Sequence, residues 1–184
     1  MGFGRGEPLP YETERGRFTM NLPKRKQIRL REYDYSTPGA YFVTICTHEK
    51  RCILSEITVG EGLAPPELTL SPIGHCVGEQ ILDLPRRYPT VHIDKYVIMP
   101  NHIHLLLLLS AVSGGASPSP TLFDAVRVLK SQSARLSRAS LGGQALWQRS
   151  YHEHVIRGES DYRQILEYIE NNPAKWAEDR YFPT

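Results

Sequence analysis

A run of five leucines closes the apolar segment 102–109, whose sequence is HIHLLLLL. Eight residues suit a β-strand, and the unbroken apolar run indicates burial on both faces of the strand toward its end. Residues 92–99 form a second β-type segment, and the intervening Pro100-Asn101 is a turn signal. The sequence therefore predicts an antiparallel hairpin whose second strand is central in a sheet.

Further segments with regular periodicity lie on both sides of this hairpin. Strand character is found at 41–47 and 146–156, and apolar residues at helical spacing are found at 73–84, at 121–139 and from Ser160 onward. Residues 52–71 suggest a ragged hairpin, and Pro173 ends or kinks the last helix. The order β-α-β-β-α-β, with one more helix after it, predicts the α+β class. The expected architecture is a ferredoxin-like (RRM-like) antiparallel sheet with helices on one face.

Length and composition favour one globular domain. The 184 residues match the size of a single domain, and 40% hydrophobic with 23% charged residues excludes a wholly disordered chain. Residues 1–31 are rich in glycine, proline and charge. We expect a basic, mobile arm over 1–31 and a single domain over 32–184.

Charge and short motifs exclude several classes of function. The net charge is only +2, but residues 1–31 carry +5 and residues 121–157 carry +4, which suits either a phosphate-binding face or a solvated surface. The longest apolar run is far shorter than the ~20 residues of a membrane helix. Three cysteines without CxxC spacing and the lack of an N-terminal apolar run favour a cytoplasmic location. No P-loop, GxGxxG or GxSxG pattern is present.

The pair His102 and His104 is a candidate metal site. Residues i and i+2 of a strand point to the same face, so both imidazoles can approach one ion, with Ile103 directed into the core behind them. Two ligands do not complete a site, however, and a bare HxH is more often two unrelated histidines.

Tyr168 and Asn172 form a second candidate pair. Their i, i+4 spacing stacks them on one helix face at the edge of the apolar stripe. The amide oxygen of Asn suits a hard metal such as Mg²⁺, and the phenol of Tyr can attack phosphorus after losing its proton. The alternative is an interfacial tyrosine beside a helix C-cap.

The block 147–154 contains a second HxH at His152 and His154, which competes with the first on spacing alone. Trp147, Arg149 and Tyr151 in the same block suit base stacking or phosphate binding. A partly buried last strand with a polar outer face explains the pattern equally well.

Four blocks in order resemble the REP-associated tyrosine transposases, which belong to the HUH single-tyrosine transposases of insertion sequences. They are RLREYDYSTPGAYFVTICT, YVIMPNHIHLLLLL, LWQRSYHEHVIR and YIENNPAKW, and the similarity covers residues ~28–176. The resemblance implies that His102 and His104 are the HUH metal ligands, that Tyr168 is the nucleophile and that Asn172 is the third ligand. Insertion-sequence relatives usually have Gln at the position of Asn172.

The resemblance further implies a single-strand DNA endonuclease and strand transferase that acts at hairpin (REP-like) DNA. It would use Mg²⁺ or Mn²⁺ and a 5′-phosphotyrosine intermediate, and a homodimer is a further expectation. A side chain or a water molecule must take the tyrosine proton; Glu153 and His154 are candidates, and the sequence does not decide between these acceptors. The DNA-binding candidates are Lys24, Arg25, Lys26, Arg29, Arg31, Arg127, Lys130, Arg135, Arg138, Trp147, Arg149 and Tyr151.

Two other functions fit parts of the sequence. A domesticated hairpin-binding protein would keep the fold and basic faces but would not need the nucleophile. A metal-dependent phosphodiesterase would use water in place of Tyr168 and would release free 5′-phosphate ends.

Overall fold

A computed structural model describes residues 34–58, 66–111 and 120–183 of the chain. The elements are β1 (Gly39–Cys46), β2 (Ser55–Thr58), β3 (Glu67–Leu70), α1 (Pro72–Arg87), β4 (Val91–Ile98), β5 (His102–Leu109), α2 (Leu122–Leu136), β6 (His152–Ile156) and α3 (Glu159–Asn171). The main sheet is antiparallel, with strand order β4-β5-β1-β6. This order and the two helices between its strands confirm the predicted ferredoxin-like fold.

Strand β5 occupies the centre of the sheet, as its leucine run predicts. It pairs with β1 on one side and with β4 on the other. Ile103, Leu105 and Leu107 face the main hydrophobic core, while His102 and His104 share the opposite face with Leu106. Because all six side chains are fully buried, this strand contributes to the packing on both faces of the sheet.

Helices α1 and α2 cover the first of these faces and contact each other. Ser71 caps α1 by accepting a hydrogen bond from the Gly74 N–H, and Thr121 and Asp124 form a reciprocal capping box on α2. Gly74 is required for close packing, since a Cβ built there would lie 2.0 Å from the Leu54 carbonyl oxygen.

Helix α3 packs on the other face of the sheet, where the histidines lie. Its buried residues Ile165 and Ile169 contact Leu106. Three polar contacts hold the helix against both edge strands. These are Lys95 to Glu170 at 2.7 Å, His154 to Asp161 at 2.8 Å, and Tyr162 donating to Asp94. The placement of α3 brings its last two turns over the start of β5.

The strand predicted over 146–156 is shorter in the structure, which is a correction. Only His152–Ile156 pairs regularly with β1, and Trp147 makes one isolated bridge to Thr47. Just before β6, the Lys130 ammonium of α2 donates to the carbonyls of Gln148 and Arg149, so these carbonyls have a side-chain partner.

Three further predictions concern residues 52–71, membrane-spanning helices and the arm over residues 1–31. The ragged hairpin predicted over 52–71 is a separate two-stranded sheet, β2 with β3, and residues 59–65 between them lie outside the described residues. Within the described part of the chain, no helix has the length and apolar character needed to cross a bilayer. The arm predicted over 1–31 also lies outside the described residues.

Candidate active site

Two elements bring the predicted chemical groups together. The first residues of β5 supply His102 and His104, whose Nε2 atoms lie 3.0 Å apart, and the end of α3 supplies Tyr168 and Asn172. The Tyr168 hydroxyl is 3.3 Å from His104 Nε2. The i, i+2 and i, i+4 spacings therefore converge on one site, and a single chain supplies every group.

Hydrogen bonds to the far side of each imidazole orient the pair. Asn101 is fully buried and donates its Nδ2–H to the carbonyl of Tyr181 at 2.7 Å, which directs its Oδ1 toward His102. His102 Nδ1–H therefore donates to Asn101 Oδ1 at 2.9 Å, and His102 Nε2 keeps a lone pair directed into the site. His104 Nδ1 lies 2.8 Å from the Thr44 hydroxyl, which can accept its proton in the same way.

Asp179 is a site residue that the sequence did not reveal. After Pro173 the chain turns back through the short 3-10 helix Trp176–Glu178, which places the Asp179 carboxylate beside the histidines. Its Oδ2 accepts from Asn172 Nδ2 at 2.9 Å and from the Tyr168 hydroxyl at 3.3 Å. No helix or strand periodicity in the sequence includes residue 179. Asp179 is therefore recognised as a site residue only from the chain reversal in the structure.

The donor set fits a divalent cation. One ligand atom each from His102, His104 and Asp179 lies within 4.8 Å of the others. Asn172 is 2% exposed, and its Oδ1 has no hydrogen-bond partner within the described residues, so an acceptor is left available at the same place. Two neighbouring ligands at about 2.1 Å from an octahedral ion lie roughly 3 Å apart. The observed separation of the two Nε2 atoms matches that value.

Burial sets the charge state of the site. It lowers the pKa of His102 to about 4, against an opposing effect of Asp179, and it lowers the pKa of His104 well below 6.5. Both imidazoles are therefore neutral near pH 7, which is the form that binds metals. Burial, followed by the Asp179 charge, raises the pKa of Tyr168 to about 12, so its phenol is protonated in the free protein.

A cleft of about 480 Å³ opens in front of Tyr168. Its walls are the last two turns of α3 and the returning segment that carries Lys175, Asp179 and Arg180. The Tyr181 ring packs against His102, with the two ring centroids 4.5 Å apart. The Arg180 guanidinium lies 4.6 Å from the centroid of the Tyr181 ring. Tyr168, at 40% exposure, faces this cleft together with the cations of Lys175 and Arg180. The imidazoles of His102 and His104 are fully buried, with His104 in contact with the Tyr168 hydroxyl.

Sequence comparison decides the family. Residues 80–172 match the family described as "Transposase IS200 like", a range that runs from α1 through β5 to Asn172. The chain belongs to the IS200-like transposase family. An uncharacterized protein of Haemophilus influenzae (strain KW20 / Rd) is 32% identical to this transposase over 181 residues, covering 90% of this chain and 97% of that one.

A solved structure confirms the fold of this IS200-like transposase. The structure of a REP-associated tyrosine transposase bound to a REP hairpin matches with a TM-score of 0.56 and 23% sequence identity, covering 83% of this chain and 76% of that one. The solved structure confirms the expected fold, and the sequence match confirms that the chain is a transposase of the IS200-like family.

The structure does not bring the two expected proton acceptors to Tyr168. Glu153 pairs across the sheet with Val43, so it lies on the face of the α1/α2 core, opposite the histidines. His154 lies on the histidine face but is bound to Asp161 near the start of α3. Asp179 is the carboxylate that contacts the phenol.

The DNA-binding candidates are distributed over three regions. Arg127, Lys130, Trp147, Arg149 and Tyr151 line one groove beside α2. Arg135 and Arg138 lie at the C-terminal end of α2, and Lys24, Arg25, Lys26, Arg29 and Arg31 lie outside the described residues. Trp147 and Tyr151 are only 7% and 9% exposed, because the core holds their rings.

Proposed function

We propose that this IS200-like transposase cuts and rejoins single-stranded DNA at hairpins, using a metal ion and Tyr168 as its nucleophile. One observation carries the proposal: the Tyr168 hydroxyl lies 3.3 Å from His104 Nε2, and Tyr168 lines a cleft together with Asn172. The Oδ1 of Asn172 is buried and has no hydrogen-bond partner within the described residues. A phenol beside a metal-binding pair is suited to attack on a phosphodiester.

The residues meet the requirements of Mg²⁺ or Mn²⁺. The proposed ligands are His102, His104 and Asn172, and Asp179 adds a carboxylate within reach. When bound, the cation would polarise the scissile phosphate and offset the negative charge that develops on it.

In the proposed reaction, one bond to phosphorus forms and another breaks. Asp179, whose Oδ2 lies 3.3 Å from the Tyr168 hydroxyl, would take the phenol proton. The Tyr168 oxygen forms a bond to phosphorus while the bond between phosphorus and the 3′ oxygen breaks. The products are a 5′-phosphotyrosine and, once that oxygen gains a proton, a free 3′-hydroxyl. Because the phosphotyrosine keeps the energy of the broken bond, attack by another 3′-hydroxyl rejoins the DNA without ATP.

The proposed substrate is hairpin DNA. The relative of known structure was solved with a REP hairpin, and the exposed side chains of Arg127, Arg135, Arg138 and Arg149 in this chain have the sign of charge that phosphates require. One chain carries all the groups of the proposed site, and the homodimer stays a prediction.

A gel assay tests the proposal. The protein is incubated with Mg²⁺ and labelled single-stranded hairpins from the flanks of its own gene, and the products are run under denaturing conditions. We expect a covalent protein–DNA species that disappears in Tyr168→Phe, in His102→Ala and after chelation. Tyr88→Phe, which removes a phenol at the end of α1, is the matched control and should keep the adduct.

Two outcomes would reject the proposal. Cleavage that releases free 5′-phosphate ends and persists in Tyr168→Phe would indicate attack by water. Tight binding of hairpins without any cleavage in either metal would indicate a binding protein that has lost the reaction.

A further inference from the structure

Arg180 is a cation of the Tyr168 cleft to which the proposed reaction assigns no role. It lies beyond residues 80–172, the range that matches the transposase family, and beyond the four sequence blocks. Its side chain is exposed and lines the cleft together with Tyr168 and Asn172. The proposed reaction takes place at a phosphodiester, so a cation on this wall bears directly on its chemistry.

Contacts of the neighbouring Tyr181 hold the segment that carries Arg180. The Tyr181 N–H donates to Asp179 Oδ1 at 2.7 Å, and its carbonyl accepts from Asn101 Nδ2 at 2.7 Å. The Tyr181 ring is 6% exposed and lies against His102. Both the backbone and the ring of Tyr181 are thus fixed beside the site, and this fixes the position of the Arg180 backbone.

The Arg180 guanidinium is itself oriented by the same tyrosine. Its Nη2–H donates to the Tyr181 hydroxyl. It forms no ion pair with a carboxylate of the described residues, so its other N–H donors are left for a ligand. Lys175 also lines the cleft, but its ammonium has no hydrogen-bond partner within the part of the chain that the structure describes. Of these two cations, Arg180 is therefore the one held in place before a ligand binds.

The electrostatics of the site place the Arg180 charge near the reacting groups. Burial, followed by the Asp179 charge, raises the pKa of Tyr168, and the Arg180 charge opposes this effect. Burial lowers the pKa of both His102 and His104, and the Arg180 charge acts in the same direction. Because the interaction between two charges weakens with distance, the guanidinium lies close to the phenol and to both imidazoles.

The other charges of the cleft restrict where a phosphate can lie. The carboxylates of Glu167, Glu178 and Asp179 also line it, and they repel a phosphate. A phosphodiester is therefore favoured only beside a cation. A guanidinium presents N–H donors in a planar fork that matches two phosphate oxygens. Because Arg180 and Tyr168 line the same cleft, a phosphate bound by the guanidinium faces the phenol.

We propose that Arg180 binds the phosphate that Tyr168 attacks and offsets the negative charge that grows on its non-bridging oxygens during the attack. The proposal rests on the proposed function and adds a catalytic residue to it. Arg180 exchanges no proton and forms no bond to phosphorus, since a guanidinium stays protonated in proteins. The Tyr181 hydroxyl is a positioning group for the guanidinium.

A scan with neutral linkages tests the phosphate contact without requiring the reaction. Tyr168→Phe protein, which lacks the nucleophile, is titrated in Mg²⁺ with a hairpin that carries single-stranded flanks. In a series of such hairpins, each phosphodiester of the flanks in turn is replaced by an uncharged methylphosphonate. We expect one linkage at which this replacement weakens binding roughly fivefold, and no such linkage once Arg180→Gln is added.

The rate of adduct formation is the second measurement. With saturating DNA, Arg180→Gln should lower this rate roughly 100-fold, and Arg180→Lys should lower it less, since only the planar fork is lost. With a methylphosphonate at the cut linkage, Arg180→Gln should change the rate by less than about threefold, because the charge that Arg180 offsets is absent. Arg163→Gln is the matched control: it removes an exposed arginine of α3 that does not line the cleft, and it should change neither measurement.

The outcomes separate this proposal from the proposed function. Equal losses of rate with charged and neutral linkages would overturn the role of Arg180, because a structural defect does not depend on the charge of the phosphate. A dependent linkage other than the cut one, no dependent linkage at all, or a faster adduct in Arg180→Gln would also overturn it. If one linkage depends on Arg180 but no adduct forms, the phosphate contact stands and the reaction at Tyr168 is rejected.

Discussion

Replacement of Asn101 by Ala should weaken metal binding without touching any proposed ligand. The change removes the acceptor of the His102 Nδ1–H and the donor to the Tyr181 carbonyl, two hydrogen bonds of 2.9 and 2.7 Å at a fully buried residue. His102 then loses the contact that fixes its tautomer and ring orientation. Loss of such an outer partner lowers metal affinity by about 10- to 100-fold.

The same substitution has a cost in stability that must be separated from the effect on the metal. Two lost hydrogen bonds that leave buried partners unsatisfied correspond to about 2–4 kcal/mol in the free energy of unfolding. Asn101→Asp keeps the acceptor for His102 and loses only the donor to Tyr181. We therefore expect Asn101→Asp to bind Mn²⁺ more tightly than Asn101→Ala does.

Titration with Mn²⁺, followed by electron paramagnetic resonance on folded protein, measures this affinity independently of DNA cleavage. Ser55→Ala is the matched control, because it removes one buried hydrogen bond, to the Ile98 carbonyl at 2.8 Å, at a residue that is not part of the candidate metal site. It should reduce stability and leave Mn²⁺ affinity unchanged. Unchanged Mn²⁺ affinity in Asn101→Ala would refute the assignment of Asn101 as the residue that orients His102.

Three further predictions concern packing, the third ligand and the metal. Gly74→Ala should destabilise the fold by about 2–3 kcal/mol or more, measured by urea unfolding, because its Cβ would meet the Leu54 carbonyl oxygen, whereas Gly78→Ala, with 3.5 Å to the nearest atom, should not. Asn172→Ala should weaken Mn²⁺ binding in calorimetry, since it removes the unsatisfied buried oxygen, and Asn171→Ala on the exposed side should not. Chelation should abolish the adduct in the gel assay while circular dichroism stays unchanged, because β5 is held by apolar packing on both faces.

Each of these predictions has a clear contrary result. Equal unfolding curves for the two glycine variants would show that the approach of α1 to residue 54 is not tight. Equal Mn²⁺ affinities for the two asparagine variants would remove Asn172 from the ligand set. An adduct that survives chelation would show that Tyr168 acts without a metal ion.

Local patterns predicted much of this fold because its elements are individually regular. The leucine run requires burial on both faces wherever the strand lies, and the apolar periodicities of 73–84 and 121–139 identify helices before any packing is known. The segment 146–151 also makes contacts from distant parts of the chain. There, the ammonium of Lys130 donates to two backbone carbonyls, and no local pattern encodes that contact.

The candidate site also combines features that local patterns predict with features that depend on long-range contacts. The spacings of His102 with His104 and of Tyr168 with Asn172 predict that each pair shares a face, because strand and helix periodicities are local properties. By its place in the sequence Glu153 is a candidate proton acceptor. Strand alternation, however, directs its side chain to the face of the sheet opposite the cleft. The sequence marked Asn101 as a turn residue, whereas the structure buries it as the hydrogen-bond partner of His102.

The sequence by itself determined the order of elements, the family resemblance and the two pairs of chemical groups. Only the tertiary structure decided that these pairs meet within one chain and that Asp179 joins them. Both depend on where α3 packs and on how residues 173–179 turn back over the sheet. Packing of apolar surface is not directional, so it does not by itself fix where α3 lies. The position of α3 depends on contacts between residues more than sixty positions apart, such as Tyr168 with His104. No local sequence pattern contains such contacts.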